Sequence, residues 1–327
     1  MRRREFLIGL AVALPVGALA QQTAIPGIGY LSPESPRRFA SLVKAFQEGL
    51  AEAGYVESRN IKIEYRWAEG QYDRLPFLAE DLVQQQVAVI AAPGGAPVGL
   101  AAKSATTTIP IVFEMGGDPI RLGVVDNLSR PGGNITGISS LSVEVGPKRL
   151  ELLHELVPTA TTMAVVVNPT SPTAKSQLSN LQDTANALGL KLQILQGSTE
   201  EDFVLIFASL AQLSLTGVGG LVFTSDPFFA NRSEQLAALA VRHGVPAVHQ
   251  SRDFPIAGGL VSFGGSFVTS HRQAGVYTGR ILKGEKPGDL PVQQVTKVEL
   301  LINARTAQTL GIKVPPALLA RADEVIE

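Results

Sequence analysis

Carboxylates, hydroxyls and glycines recur just past short β-branched runs in this chain, where a folded sheet would present them to a ligand. Ser32 and Ser35 follow the run ending at Leu31. Pro93-Gly94-Gly95-Ala96-Pro97 follows the run over 87–91, and Glu114, Gly116, Gly117 and Asp118 follow that over 111–113. The second half repeats the arrangement with Asn168 to Ser171, Thr224 to Phe228, and His249-Gln250-Ser251-Arg252. These residue types suit recognition. Gly94 to Pro97, ahead of a helix, would offer N–H groups and a dipole to an anion. Glu114 or Asp118 could receive an ammonium through charge-assisted hydrogen bonds of about 1.5–3 kcal/mol, and Asp226 could contact the ligand. Phe228 or Phe229 could stack on a flat apolar group, and Arg252 could clamp a carboxylate or bridge two lobes. Each also has a plainer role. The glycines would relieve a tight turn, Asp118 and Asp226 would form turns before Pro119 and Pro227, the serines would cap helices, one phenylalanine would pack in the core, and Trp67 would pack at a sheet edge beside Tyr72.

Motifs for bond-making chemistry fail when written out. Gly94-x-x-x-x-Gly99 has Leu100 where a phosphate loop needs its lysine, and Gly27-x-Gly29 has Ser32 where a dinucleotide fingerprint needs its third glycine. His154-Glu155 meets Pro158 where a metalloprotease helix places its second histidine. His154, His243, His249 and His271 lack ligand spacing, and no cysteine exists to bind zinc, hold an iron–sulfur cluster or act as a nucleophile. No metal and no cofactor is expected.

The chain has 327 residues, 28 basic and 29 acidic, for a net charge of −1. Such a balance gives no field for gathering nucleic acid. Arg2 to Arg4 precede an apolar run over Phe6–Ala20 that ends in Ala18-Leu19-Ala20, the form of a cleaved export signal. The run is shorter than the roughly 20 residues a spanning helix needs. Arg3-Arg4 also fits a twin-arginine start. The mature protein is expected to be periplasmic, soluble and monomeric.

Behind the candidate residues, runs of period two alternate with amphipathic stretches, the pattern of a doubly wound parallel α/β sheet. Strands are expected over Ile25–Leu31, Ile61–Arg66, Val87–Ala91 and Ile111–Phe113. A second set is expected over Met163–Val167, Lys191–Leu195, Gly220–Phe223 and Ala247–His249. Helices are expected from Ser35-Pro36 to Gly54, from a capping box Ser198-x-x-Glu201 to before Gly217, and through Leu236 to Gly244. The near-equal strand spacing in the two halves reads as two copies of one layout. The Gly-rich segments 130–137 and 258–265 read as crossovers between lobes. Ligands of open α/β sheets lie beyond the carboxyl ends of strands, so two facing lobes would enclose one.

Several segments then resemble one family: Pro26 to Ser32, Glu64 to Gly70, Ile109 to Phe113 with Gly117-Asp118-Pro119, Ser129 to Gly137, Gly279 to Gly284, and the tail Ala322 to Glu327. The sequence resembles the ABC-transporter substrate-binding proteins of the tryptophan/tyrosine type, over nearly the whole mature chain. The resemblance implies a type I periplasmic binding protein fold, with lobes at 24–138 plus 265–288 and 139–264 plus 289–327 joined by a multi-crossing hinge. It implies closure on a small molecule, an amino acid or an aromatic or carboxylate-bearing metabolite, and delivery to an inner-membrane ABC permease. Relatives usually carry a Thr-Pro-Ala-like segment after the third strand, where this chain has Gly94 to Pro97. The expected protein performs no chemical step. The alternative is a periplasmic enzyme using Glu114, Asp118 or Asp226, and a third reading, a regulator's effector domain, conflicts with the export signal.

Overall fold

The computed structural model describes residues 25–213 and 218–327, so the expected export signal lies outside the described residues. The first lobe begins with β1 (Gly27–Ser32), α1 (Ala40–Glu52), β2 (Lys62–Trp67), α2 (Leu75–Gln84), β3 (Val89–Pro93), α3 (Ala96–Ala105), β4 (Ile111–Met115) and β5 (Ile135–Ser139). The second follows with α4 (Gly146–Leu156), β6 (Thr162–Val167), α5 (Ala174–Ala187), β7 (Lys191–Gln196), α6 (Glu200–Leu213), β8 (Val218–Phe223), α7 (Pro227–Ala230), α8 (Ser233–Arg242), β9 (Ala247–His249), α9 (Asp253–Ile256) and β10 (Val261–Gly265). The chain then forms α10 (Phe267–Leu282), β11 (Gln293–Gln294), β12 (Val298–Asn303), α11 (Ala304–Thr309), α12 (Pro316–Leu319) and β13 (Glu324–Ile326).

The first sheet runs β11-β5-β4-β3-β1-β2 and the second β13-β12-β10-β9-β8-β6-β7. Five strands of each share the order 2-1-3-4-5, all parallel, so the repeat read from spacing is a repeat of topology. Burial explains the sequence pattern: β3, β4 and β5 are buried at every position, as parallel strands covered by helices on both faces must be.

Helix ends follow local chemistry. α8 stops where Gly244 takes φ +63°, and α1 ends just before Gly54 at φ +91°. At the start of α6 the reciprocal bonds join Thr199 and Asp202, one residue later than the expected Ser198–Glu201 box: the Asp202 carboxylate accepts from the Ser198 and Thr199 N–H groups. Phe203, Ile206, Phe207 and Leu210 form its buried face as expected. Residues 35–39 make a turn, so α1 begins about four residues past Ser35-Pro36.

Three connections cross between lobes, after β5, between β10 and α10, and between β11 and β12. They run together at Gly265, where an added Cβ would stand 3.2 Å from the Ser140 carbonyl oxygen and 3.8 Å from that of Lys297. α10 returns to the first lobe and packs on α1 through glycines: a Cβ at Gly275 would lie 2.1 Å from the Phe46 carbonyl oxygen, and one at Gly49 1.9 Å from that of Arg272. The Gly-rich segments hide strands, since β5 and β10 occupy parts of 130–137 and 258–265. β11 pairs with β5 in the first sheet, so residues 289–294 run with the first lobe and not the second, past the boundary expected at 289.

Candidate functional site

A cavity of about 400 Å³ lies between the lobes, where the carboxyl ends of both parallel sheets face each other. The first lobe contributes Gly94 to Pro97, Glu114, Gly116 and Gly117, together with Arg38 and Phe39 from the turn before α1. The second contributes Ser171, Thr173, Ser225 to Pro227, and Gln250 to Asp253. The hinge adds Ser142, Val143 and Gly265 to Phe267, with His271 from the first turns of α10. The position of Gly94 to Pro97 follows from the sequence: β3 ends at Pro93, Gly95 takes φ +85°, and Pro97 opens α3.

Glu114 is the next-to-last residue of β4 and is 2% exposed. Its Oε1 has no hydrogen-bond partner. Burial pushes its carboxyl up to about 7, against the opposing pull of the Ser140 hydroxyl and the Gly95 N–H. Asp226 is also 2% exposed and is raised by burial, but its Oδ1 accepts three bonds. These come from the Tyr72 hydroxyl at 2.7 Å, the Phe228 N–H at 3.0 Å and Asn168 Nδ2 at 3.1 Å. Its Oδ2 is unpartnered.

The lobes are shut against each other. Tyr72 of the first lobe meets Asp226 of the second, and burial raises its phenol well above the ordinary value. Arg232 Nη1 donates to Glu34 Oε1 at 2.6 Å, both nearly buried, while its Nε donates to Glu200 at 3.1 Å. Arg38 also bonds Glu200. Burial raises the Glu34 carboxyl and Arg232 partly offsets that. At Gly95 a Cβ would stand 2.7 Å from Pro227 Cγ, so this closeness of the lobes requires glycine.

Arg149 organises the floor. Fully buried, it donates to the Ser142 carbonyl at 2.9 Å, the Phe263 carbonyl at 3.0 Å and Ser225 Oγ at 2.6 Å, and burial lowers it to about 10. Burial, with the nearby Arg149 charge, holds His249 down to about 3, and burial holds His271 down to about 4, so both rings are neutral. His249 stacks on Phe254. Among the described residues no group of three or more His, Asp or Glu could hold a metal ion.

The expected site residues divide. Gly94, Gly95, Ala96, Pro97, Glu114, Gly116, Ser171, Asp226, Gln250 and Arg252 line the cavity. The remaining six do not. Ser32 accepts from the Glu34 N–H and Ser35 from the Arg38 N–H, as turn caps. Asp118 accepts from the Ile120 and Arg121 N–H groups, which is the turn role. Thr224 donates to the Val166 carbonyl, and Asn168 supports Asp226. Phe228 is core, packed on Phe203 with the Arg232 guanidinium 3.8 Å over its ring, and Phe229 is wholly buried. Neither ring lines the cavity, because α7 turns both under the second lobe. Arg252 sits at the rim, paired with Glu299 and Glu324. The three carboxylates of the enzyme alternative therefore form no common cluster. Sequence reasoning missed Arg38, Glu34, Arg232 and His271. Glu34 and Arg232 lie 198 residues apart and belong to different lobes.

Residues 34–326 match the family described as ABC transporter substrate binding protein. The "Tyrosine-binding protein" of Clostridioides difficile (strain R20291) is 28% identical over 272 residues, 83% of this chain and 76% of that one. A conserved domain protein from Vibrio cholerae superposes with a TM-score of 0.82 at 28% identity, over 92% of this chain and 99% of that one. An ABC domain from Streptococcus pneumonia in complex with L-Trp gives 0.78 at 25% identity, with the same coverages. The paired parallel-sheet lobes are those of the type I periplasmic binding proteins, and the match over nearly all of the described residues makes this chain a member of the ABC transporter substrate-binding protein family.

Proposed function

We propose that this protein captures an amino acid between its lobes and presents it, chemically unchanged, to an ABC permease in the inner membrane. The observation that carries the reading is the interlobe cavity, lined by one buried acid from each lobe, Glu114 and Asp226, and by the first turns of α3 and α10. Such a set pairs acceptors for an ammonium with N–H donors for a carboxylate. Relatives named for tyrosine and crystallised with L-Trp support the amino-acid class. Phe39 and Phe267 are the aromatic side chains beside the cavity.

We also read the molecule as a periplasmic monomer, exported by its first twenty residues. No described helix is long and apolar enough to cross a membrane. The lobes in this reading comprise residues 25–139 with 267–294, and 146–265 with 298–327.

A ligand contacted from both lobes stabilises only the closed form. At 100 times its Kd it adds about 2.7 kcal/mol to stability. Thermal unfolding with a panel of amino acids, aromatic acids, sugars and purines tests the reading. An amino acid is expected to raise Tm, and recovery of a converted product from the incubation would replace the receptor by the enzyme.

A further inference from the structure

We infer that Glu114 selects a ligand bearing a positively charged nitrogen, and that seating this nitrogen expels a proton from the protein. The inference rests on the amino-acid reading above and adds the residue and the proton balance.

Glu114 is an anomaly in the cavity wall. A carboxyl this deeply buried ordinarily has an ion-pair partner, because desolvation of an uncompensated charge is costly. Among the described residues none pairs with it. The groups packed around it are uncharged or acidic. β1 presents Tyr30, whose hydroxyl is also unpartnered. α10 presents His271, a neutral ring held by the Phe267 carbonyl at 2.9 Å and close to Pro93, the register partner of Glu114. Past β5 stands the Ser140 hydroxyl, and at the head of α3 the Gly95 N–H. Across the cavity lies Asp226. The buried guanidinium of the floor, Arg149, is spent on the Ser142 and Phe263 carbonyls and Ser225.

Asp226 is the other acid with a free oxygen, yet it already has work in the fold. It caps α7, binds Asn168 and joins the lobes through Tyr72. Glu114 joins no lobes and meets no cation: it accepts from the Ser140 hydroxyl and the Gly95 N–H of its own lobe, and its charge is left uncompensated for what enters the cavity.

The empty carboxyl holds its proton up to about pH 7. An ammonium beside it supplies the missing counter-charge: the neutral acid and the cation become a carboxylate–ammonium pair, and one proton leaves to solvent with no bond to the ligand formed. Near pH 7 about half a proton is released per ligand, and below that affinity falls towards about tenfold per pH unit.

Calorimetric titrations at pH 7 in phosphate and in Tris, and again at pH 5 and 6, test this with L-tyrosine, L-tryptophan and L-leucine. Their deaminated twins, 3-(4-hydroxyphenyl)propionate, indole-3-propionate and 4-methylpentanoate, serve as controls. An amino acid is expected to bind about 100-fold tighter than its twin and to pass about half a proton to the buffer. Its affinity should drop about tenfold from pH 6 to 5. Glu114→Gln should keep a cooperative thermal transition, lose the proton release and weaken binding about 100-fold, while Glu114→Asp recovers part of both. Twins that bind as tightly as the amino acids, or a proton release that survives Glu114→Gln, would overturn the inference and leave the receptor standing. If neither set binds, the amino-acid reading falls and this inference with it.

Discussion

Glu114 and the buried histidines should write opposite signatures into the pH dependence of folding. The folded-state value of Glu114 is raised from 4.5 to about 7, so the ligand-free fold binds a proton that the unfolded chain releases. That contribution is complete below pH 4.5 and is lost as pH climbs through 7, by roughly 3 kcal/mol at most. Urea unfolding of the ligand-free protein should lose this slope in Glu114→Gln. His249 and His271 act the other way, because their folded values, about 3 and about 4, lie below the ordinary 6.5. Their contribution is present above pH 6.5 and disappears as pH falls towards 3. His249→Phe, which keeps the aromatic stack on Phe254, is expected to reduce the proton uptake of acid unfolding by up to one. At this scale the sequence was legible where a side chain's place follows from its strand, as with Glu114 and Asp226 at strand ends. It left the choice open where two local uses of a residue type compete. Asp118 and Phe228 follow strands too, but one spends itself on the N–H groups of its own turn and the other is rotated inward by α7.

Among elements, the seam between α1 and α10 is the most constrained. Gly49 and Gly275 let two backbones approach to where no Cβ fits, with backbone carbonyls and not flexible side chains in the way. Gly275→Val should therefore destabilise the protein by about 3 kcal/mol, the upper range for overpacking, whereas Gly284→Ala, at φ +99° with open space around it, should suffer backbone strain alone, about 1 kcal/mol. Differences in denaturant midpoint measure both. The core strands and helices were legible because burial on both faces leaves continuous apolar runs and 3.6-residue stripes. β5 and β10 escaped notice because each carries glycine where a neighbour crowds it: at Gly137 a Cβ would lie 2.2 Å from the Phe113 carbonyl, and at Gly264 2.2 Å from that of Gln250. Composition there imitates a loop, while the true cause is close packing.

For the whole molecule, the balance between open and shut forms rests on contacts remote in sequence. Arg232 bridges Glu34 and Glu200 beside the cavity, and its loss leaves the buried Glu34 with Arg38 alone, at 4.0 Å. Arg232→Met with Glu34→Gln removes the pair without stranding a charge. This double variant should open the ligand-free protein, seen as a larger radius of gyration in small-angle scattering, and weaken ligand binding about tenfold. Gly95→Ala reaches the same end by obstruction, since its new methyl would strike Pro227. Unchanged scattering in both variants would mean that neither contact governs closure.

The three strands of chain lying side by side at Gly265 have one more consequence. Neither half of the receptor is a contiguous stretch of the gene. As the polypeptide emerges from the ribosome, the face of the first sheet that α10 covers stays bare until residue 282, and the second sheet lacks two strands until residue 326. Both halves are thus completed almost together, by residues 267–326. A chain cut short after Gly265 is expected to yield no folded fragment at all, since α10, β11, β12 and β13 all come later.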